Sequence, residues 1–315
     1  MFLNYTAIEY FKAFLSGYYN LRFCYGASQV DELHSCASAA LSTGDYAINT
    51  TFYVWAAFFN VILTYGMETA FFRFFSQSKE KAKVFSTAFI TLSVTTVFFF
   101  VLVFLFRNYL FGLLDLEPFY FNILLGILAL DTLVVVPFAW LRASNKPIKF
   151  ASVKIINIVI VVILNLYFLW WVRKFPGATP QIILDNYSDA DKVGYIFLAN
   201  LAASAVTFLI LLPYFFRAKI DFSFSLLKKM WHYGWPIMVA GLAFVINENL
   251  DKLLLKDMLS DKIMGAYAGC YKLAVFMTIF VQAFKLGAEP FFFNQAKAEN
   301  ARKTYALILT YFVIA

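Results

Sequence analysis

Positions 84–106 run for 23 residues without one charged side chain. Coiled at ~1.5 Å rise per residue, such a run crosses a hydrocarbon core of roughly 30 Å. Runs broken only by isolated charges recur at 47–72, 118–141, 155–172, 193–216, 230–250 and 263–296. Their lengths suit helices, because a barrel strand needs only ~9–11 residues and alternates apolar with polar positions. Lipid offers no partner to a backbone amide, so a span must satisfy its own, as a helix does. The pattern predicts an all-α, polytopic membrane helix bundle with about seven clear transmembrane helices.

The two ends depart from this pattern. Residues 1–45 hold Glu9, Lys12, Arg22, Asp31, Glu32 and Asp45 and lack a long apolar run, so only a weak, charge-interrupted helix near 2–24 is expected there. At the other end, 304–315 opens a further apolar run that stops short of a span, which reads as a truncated C-terminal stub. Composition agrees with a lipid environment. The chain is 62% hydrophobic and 14% charged, against a charged fraction of ~25% in soluble domains.

The net charge of +7 raises the question of a nucleic-acid partner, and its distribution answers it. The connections 73–83, 142–154, 217–229 and 297–303 carry 15 basic residues and three acidic ones, whereas 107–117, 173–192 and 251–262 carry seven basic and eight acidic. Strict alternation of this kind places the first set in the cytoplasm and the second outside. The excess charge then orients the chain and touches anionic membrane lipids, and no nucleic acid is expected. Cys24, Cys36 and Cys270 are widely spaced and form neither a metal motif nor a disulfide framework. His232, within Trp231-His232-Tyr233, reads as part of an interfacial anchor. No metal site, cofactor or catalytic residue is expected, and no connection is long enough to hold a soluble catalytic domain.

Charges at bilayer depth cost ~2.5–3.5 kcal/mol each on insertion scales and usually face a cavity or a partner. Glu68, Asp131, Lys272 and Lys285 stand out. Counted along the helices, Asp131 and Lys272 lie roughly 14–20 Å from the outer boundary, near the midplane, while Glu68 and Lys285 lie towards the cytoplasm. They read either as a hydrophilic cavity for a charged substrate or coupling ion, or as internal ion pairs such as Asp131 with Lys272 and Lys285 with Glu289. Asn247-Glu248-Asn249-Leu250-Asp251-Lys252 closes the 230–250 run on the outer side, as an external gate (Glu248, Asp251, Lys252) or a solvated helix end. Pro137, Pro213, Pro236 and Pro290 invite kinks, and Gly265 to Gly269 spells a GxxxG match that permits close helix packing.

Several segments carry a resemblance. They are Thr43-Gly-Asp-Tyr46, Leu63-Thr-Tyr-Gly-Met-Glu-Thr-Ala-Phe-Phe-Arg-Phe74 and Leu141-Arg-Ala-Ser-Asn-Lys-Pro147. A longer signature runs from Tyr233-Gly-Trp-Pro236 through Asn249-Leu-Asp-Lys252, Gly265-Ala-Tyr267 and Lys272 to Phe284-Lys-Leu-Gly-Ala-Glu-Pro290. In order and spacing, 43–315 resembles the polysaccharide-biosynthesis, O-antigen flippase-like branch of the multidrug/oligosaccharidyl-lipid/polysaccharide (MOP) exporter superfamily.

The resemblance implies a two-lobe exporter in the bacterial inner membrane that flips an undecaprenyl-pyrophosphate-linked oligosaccharide, with polysaccharide assembly proteins as further partners. Residues 1–45 would replace the family's first helix, 46–222 would form the first lobe, and 223–315 the truncated beginning of the second. Arg73, Lys272 and Lys285 would attract the pyrophosphate, and Glu68 and Asp131 would carry a coupling proton or sodium ion. The alternatives are a multidrug or cation antiporter of the same superfamily and a membrane-embedded glycosyltransferase or polymerase. The last is disfavoured by the short external connections.

Overall fold

The structure, a computed structural model, describes residues 41–271 apart from 115, 145, 186, 189–190 and 216–220. The weak helix near 2–24, Lys272, Lys285, Pro290 and the C-terminal stub lie outside the described residues.

Helix α1 (Thr43–Thr64) starts because Ser42 and Asp45 cap each other. The Asp45 amide donates to the Ser42 hydroxyl at 3.2 Å, and the Ser42 amide donates to the Asp45 carboxylate at 3.1 Å. This reciprocal box satisfies two donors that the first turn would leave orphaned. The Thr43-Gly-Asp-Tyr46 segment is therefore the start of the first described helix.

The 47–72 run is not one helix. After Thr64 two residues turn left-handed, Tyr65 at φ 35° and Gly66 at φ 70°, before α2 (Met67–Gln77) resumes. Glycine takes positive φ without steric cost. Tyr65 does not, and its contacts over-determine the conformation. It is 4% exposed, its hydroxyl lies 3.3 Å from Thr95 Oγ1, and its ring centroid lies 5.2 Å from that of Trp231.

The chain then crosses back and forth. α3 spans Lys81–Leu105, and the short α4 (Arg107–Leu114) sits in the next connection. α5 (Pro118–Ala143) follows with proline in its first turn, where the missing N–H costs nothing. α6 (Pro147–Leu166) runs through a π-helical segment, Tyr167–Trp171, to Lys174. After the short α7 (Gln181–Asp185) come α8 (Lys192–Phe215) and α9 (Phe224–Met258), and a further helix begins at 261. Among the described residues there is no strand. Among the described residues, five helical stretches are long and apolar enough to cross a membrane: Thr43–Gln77, Lys81–Leu105, Pro118–Ala143, Ile148–Lys174 and Lys192–Phe215. The 230–250 run lies inside α9, which is richer in polar side chains and is not among the five.

α5 is the central post, in contact with α1, α2, α3, α6 and α8, while α9 lies against α1, α2 and α3. Two apolar clusters divide the bundle lengthwise. One gathers Phe71, Phe75, Phe85, Ala139 and Met230 towards the basic connections, and the other gathers Phe52, Phe121, Leu124, Ile127 and Phe197 towards the opposite end. Phe52 and Phe197 stack at 3.6 Å between centroids. Between helices in lipid such packing contributes through dispersion rather than water release. Val97, Phe98 and Phe104 on α3 are 62–71% exposed, a surface that lipid can cover. Thr91, Thr96 and Thr132 return their hydroxyls to carbonyls one turn back at 2.7 Å, so no polar group on them is left bare.

Pro137, Pro213 and Pro236 interrupt no helix: each lies inside a continuous one. The external connection expected at 251–262 is shorter than its charges suggested, because α9 runs to Met258. Of the GxxxG pair, Gly265 meets a close neighbour, since a Cβ there would collide with the Thr43 carbonyl, while Gly269 has none within 4 Å among the described residues.

Candidate functional site

At the basic end, α2 carries two of the expected site residues on different faces. Glu68 forms an ion pair with Arg142, at the last turn of α5. Arg142 also lies over the rings of Phe72 (4.7 Å) and Phe150 (5.2 Å), which orient its guanidinium. The sequence had placed Arg142 in a cytoplasmic connection; instead the helix carries it back to Glu68. Arg73 is exposed, and its guanidinium sits 4.3 Å from the Tyr233 ring of α9. Beside it opens a groove of ≈ 670 Å³ between α2 and α9.

Asp131 lies midway along α5, half-buried and engaged by other groups. Its expected partner Lys272 lies outside the described residues, as does Lys285.

At the opposite end, Glu248, Asp251 and Lys252 are brought together, but inside α9 rather than at its end. Lys252, 6% exposed, donates from its ammonium to the Glu248 carbonyl and lies 3.5 Å from the Asp251 carboxylate. The other Asp251 oxygen accepts the Tyr267 hydroxyl at 2.7 Å, which ties α9 to the helix beginning at 261.

Charge-based reading missed the neutral polar groups of the spans. Asn200 on α8 donates to the Tyr53 hydroxyl of α1, and Asn157 on α6 donates to Thr207 Oγ1 at 3.0 Å. Asn49 Oδ1 and both amide atoms of Asn165 are buried with no partner among the described residues. An asparagine within an apolar run is the signal that would have found them.

A model of the polysaccharide biosynthesis protein family matches residues 38–288. The structure is similar to a multidrug resistance MATE family transporter of the MOP superfamily in its outward-facing conformation (TM-score 0.59, 13% identity, 85% of this chain and 60% of that one). It is also similar to the inward-facing conformation (TM-score 0.57, 13% identity, 82% and 61%) and to a MATE protein in complex with Br-NRF (0.59, 15%, 85% and 62%). The chain thus spans about three fifths of the length of the solved structures it matches. Comparison with curated proteins gives no match. Matched to the family model along most of its length, the chain belongs to the polysaccharide biosynthesis protein family, built as a multi-pass helical membrane protein on the MATE transporter fold.

Proposed function

We propose that this chain belongs to a two-lobe transporter that moves an undecaprenyl-pyrophosphate-linked oligosaccharide from the inner to the outer leaflet of the bacterial inner membrane. The family match over 38–288 carries this reading. The charge pattern supports it, because a pyrophosphate headgroup approaching from the cytoplasm would meet the basic end first. In this reading 46–222 form the first lobe and 223–315 begin the second. Arg73, Lys272 and Lys285 attract the headgroup, while Glu68 and Asp131 serve the coupling ion and Glu248, Asp251 and Lys252 the outer gate. The Glu68–Arg142 pair suits a carboxylate that exchanges a fixed cation for a mobile one as the lobes rock.

The test is reconstitution into liposomes with a short-chain polyprenyl-diphosphate sugar, followed by the fraction of sugar that becomes accessible to a membrane-impermeant reagent. Transport abolished by Lys272→Ala and Asp131→Asn is expected; transport left intact by both overturns these roles. A second reading, multidrug or cation export, is favoured by the fold likeness to multidrug MATE transporters. Efflux of a fluorescent cationic dye from the same vesicles, with no flipping of the sugar lipid, would establish it instead.

A further inference from the structure

The groove beside Arg73 is built from two helices. α9 opens with Ser223 as its N-cap and carries Lys228, Lys229, His232, Tyr233, Pro236 and Ile237 along one face. α2 contributes Arg73 and Phe74. Spacings of one, four, five, eight and nine positions keep the α9 residues on one side of a 3.6-residue helix. The groove is open rather than enclosed and offers ≈ 670 Å³, room for a headgroup whose tail stays outside it.

Its chemistry is divided. Arg73, Lys228, Lys229 and His232 are exposed, and no carboxylate is among the described residues lining the groove. Glu68 and Glu80, which share this end, are held by Arg142 and Lys83. Arg73, Lys228 and Lys229 are in no ion pair among the described residues. Like charges clustered without a counter-ion repel one another and attract an anion. Phe74, Tyr233, Pro236 and Ile237 make the rest of the wall apolar. The Arg73 guanidinium lies 4.3 Å from the Tyr233 centroid and 5.9 Å from that of Phe74, and because a ring face takes up no N–H donor in a conventional hydrogen bond, its fork can grip two oxygens of one phosphate. The lysines supply mobile point charges for a second phosphate. Cations beside an apolar wall suit an amphiphile whose head is anionic and whose tail is hydrocarbon.

Resting on the transport reading above, we infer that this groove is the docking site where the diphosphate head of a polyprenyl-diphosphate lipid is captured at the inner leaflet before it enters the path between the lobes. The site uses Lys228, Lys229 and His232, which sequence reading assigned to a loop and an anchor.

The test uses the full chain purified in detergent and titrated with undecaprenyl diphosphate, following Trp fluorescence, with three further arms. Inorganic pyrophosphate competes if the head is what is recognised, and undecaprenol, which lacks the phosphates, does not bind. Phosphatidylglycerol micelles displace the ligand only weakly. The variant R73A/K228A/K229A is expected to weaken binding about tenfold or more, and K228R/K229R to retain it. All three positions are exposed, so the variants should keep the native elution profile and far-UV spectrum. Undiminished binding by the triple variant overturns the site, and equal displacement by phosphatidylglycerol overturns its diphosphate character. A protein that binds through these cations yet flips nothing sinks the transport reading and leaves the site standing. One that flips the lipid with all three replaced does the reverse.

Discussion

The two ends of the bundle handle charge in opposite ways. At the basic end, cations rest on aromatic faces: Arg73 on Tyr233, Lys81 on Phe75, Lys146 on Trp140 and Lys154 on Phe138, at 4.3–5.2 Å. At the opposite end Lys174 also rests on a ring, Trp170 at 4.8 Å, but what sets that end apart is its carboxylates, which tyrosine hydroxyls hold: Asp191 by Tyr120 at 2.6 Å and Asp251 by Tyr267 at 2.7 Å. A ring face leaves a cation's donors free, whereas a hydroxyl consumes a carboxylate's acceptor. The basic end therefore keeps several cations available to an anion, and the other spends its carboxylates on joining helices. The proposed capture of an anionic head on one side would make use of this asymmetry.

The largest way to break the comparison is at the elbow that positions the basic end. Gly66 combines φ 70° with a backbone approach so close that a Cβ would collide with the Gly234 carbonyl oxygen, and a Cβ on Gly234 would stand 2.8 Å from the Tyr65 oxygen. Gly66→Val should destabilise by about 3 kcal/mol or more, through strain and collision together. The expected result is a lowered midpoint of thermal unfolding with the groove lost, because α2 and α9 could no longer meet. An unchanged midpoint would mean that the elbow is not needed to join them.

That elbow also marks where sequence reading stops. The spans were legible because lipid demands apolar length, and α3, α5 and α8 occupy the runs 84–106, 118–141 and 193–216 almost residue for residue. The break at Tyr65–Gly66 was not, because lone glycines are common in membrane helices and only the approach of Gly234 shows what this one is for. Glu68 was legible as a charge within an apolar run, yet its partner was not. Arg142 looked like a loop residue until α5 was seen to carry it past the last apolar position. The α9 charges at 248–252 looked terminal because hydropathy falls there, although the helix has almost two further turns to run. Periodicity locates helices, but which faces meet depends on contacts that no single run encodes.

The middle-sized test lies at the opposite end. Tyr120 is 8% exposed and donates to Asp191, which also accepts the Gly194 amide at 3.1 Å and so caps α8. Tyr120→Phe deletes one donor and leaves the carboxylate with its cap, at a cost of about 1–2 kcal/mol. Asp191→Ala removes both bonds and should cost more. If Tyr120→Phe lowered polyprenyl-diphosphate binding as much as the groove variants do, the division of labour between the ends would fail.

At the basic end the ion pair is worth less than its geometry suggests. The Glu68 side chain is 44% exposed and that of Arg142 24%, so screening leaves about 0.5–1 kcal/mol. Glu68→Gln should therefore shift the unfolding midpoint only slightly. A functional role would show elsewhere, as altered ion dependence of transport with stability nearly unchanged, whereas a purely structural pair would leave ion dependence as it was.

The smallest effect sharpens the comparison most. Lys146 lies 4.5 Å from the centroid of Trp140, which itself packs edge-on against Phe85 and near Tyr214. The ring is already held by apolar neighbours, so losing the ammonium forfeits only the cation–ring attraction, about 0.5–1 kcal/mol. Lys146→Gln should leave stability almost unaltered and, because Lys146 is not among the described residues lining the groove, leave diphosphate-lipid binding unaltered too. Lys228→Gln removes the same charge from the same end and should weaken binding several-fold. If the two substitutions weakened binding equally, the basic end would act as a diffuse field rather than as a site; if only Lys228→Gln did, the position of the cation within the groove decides capture.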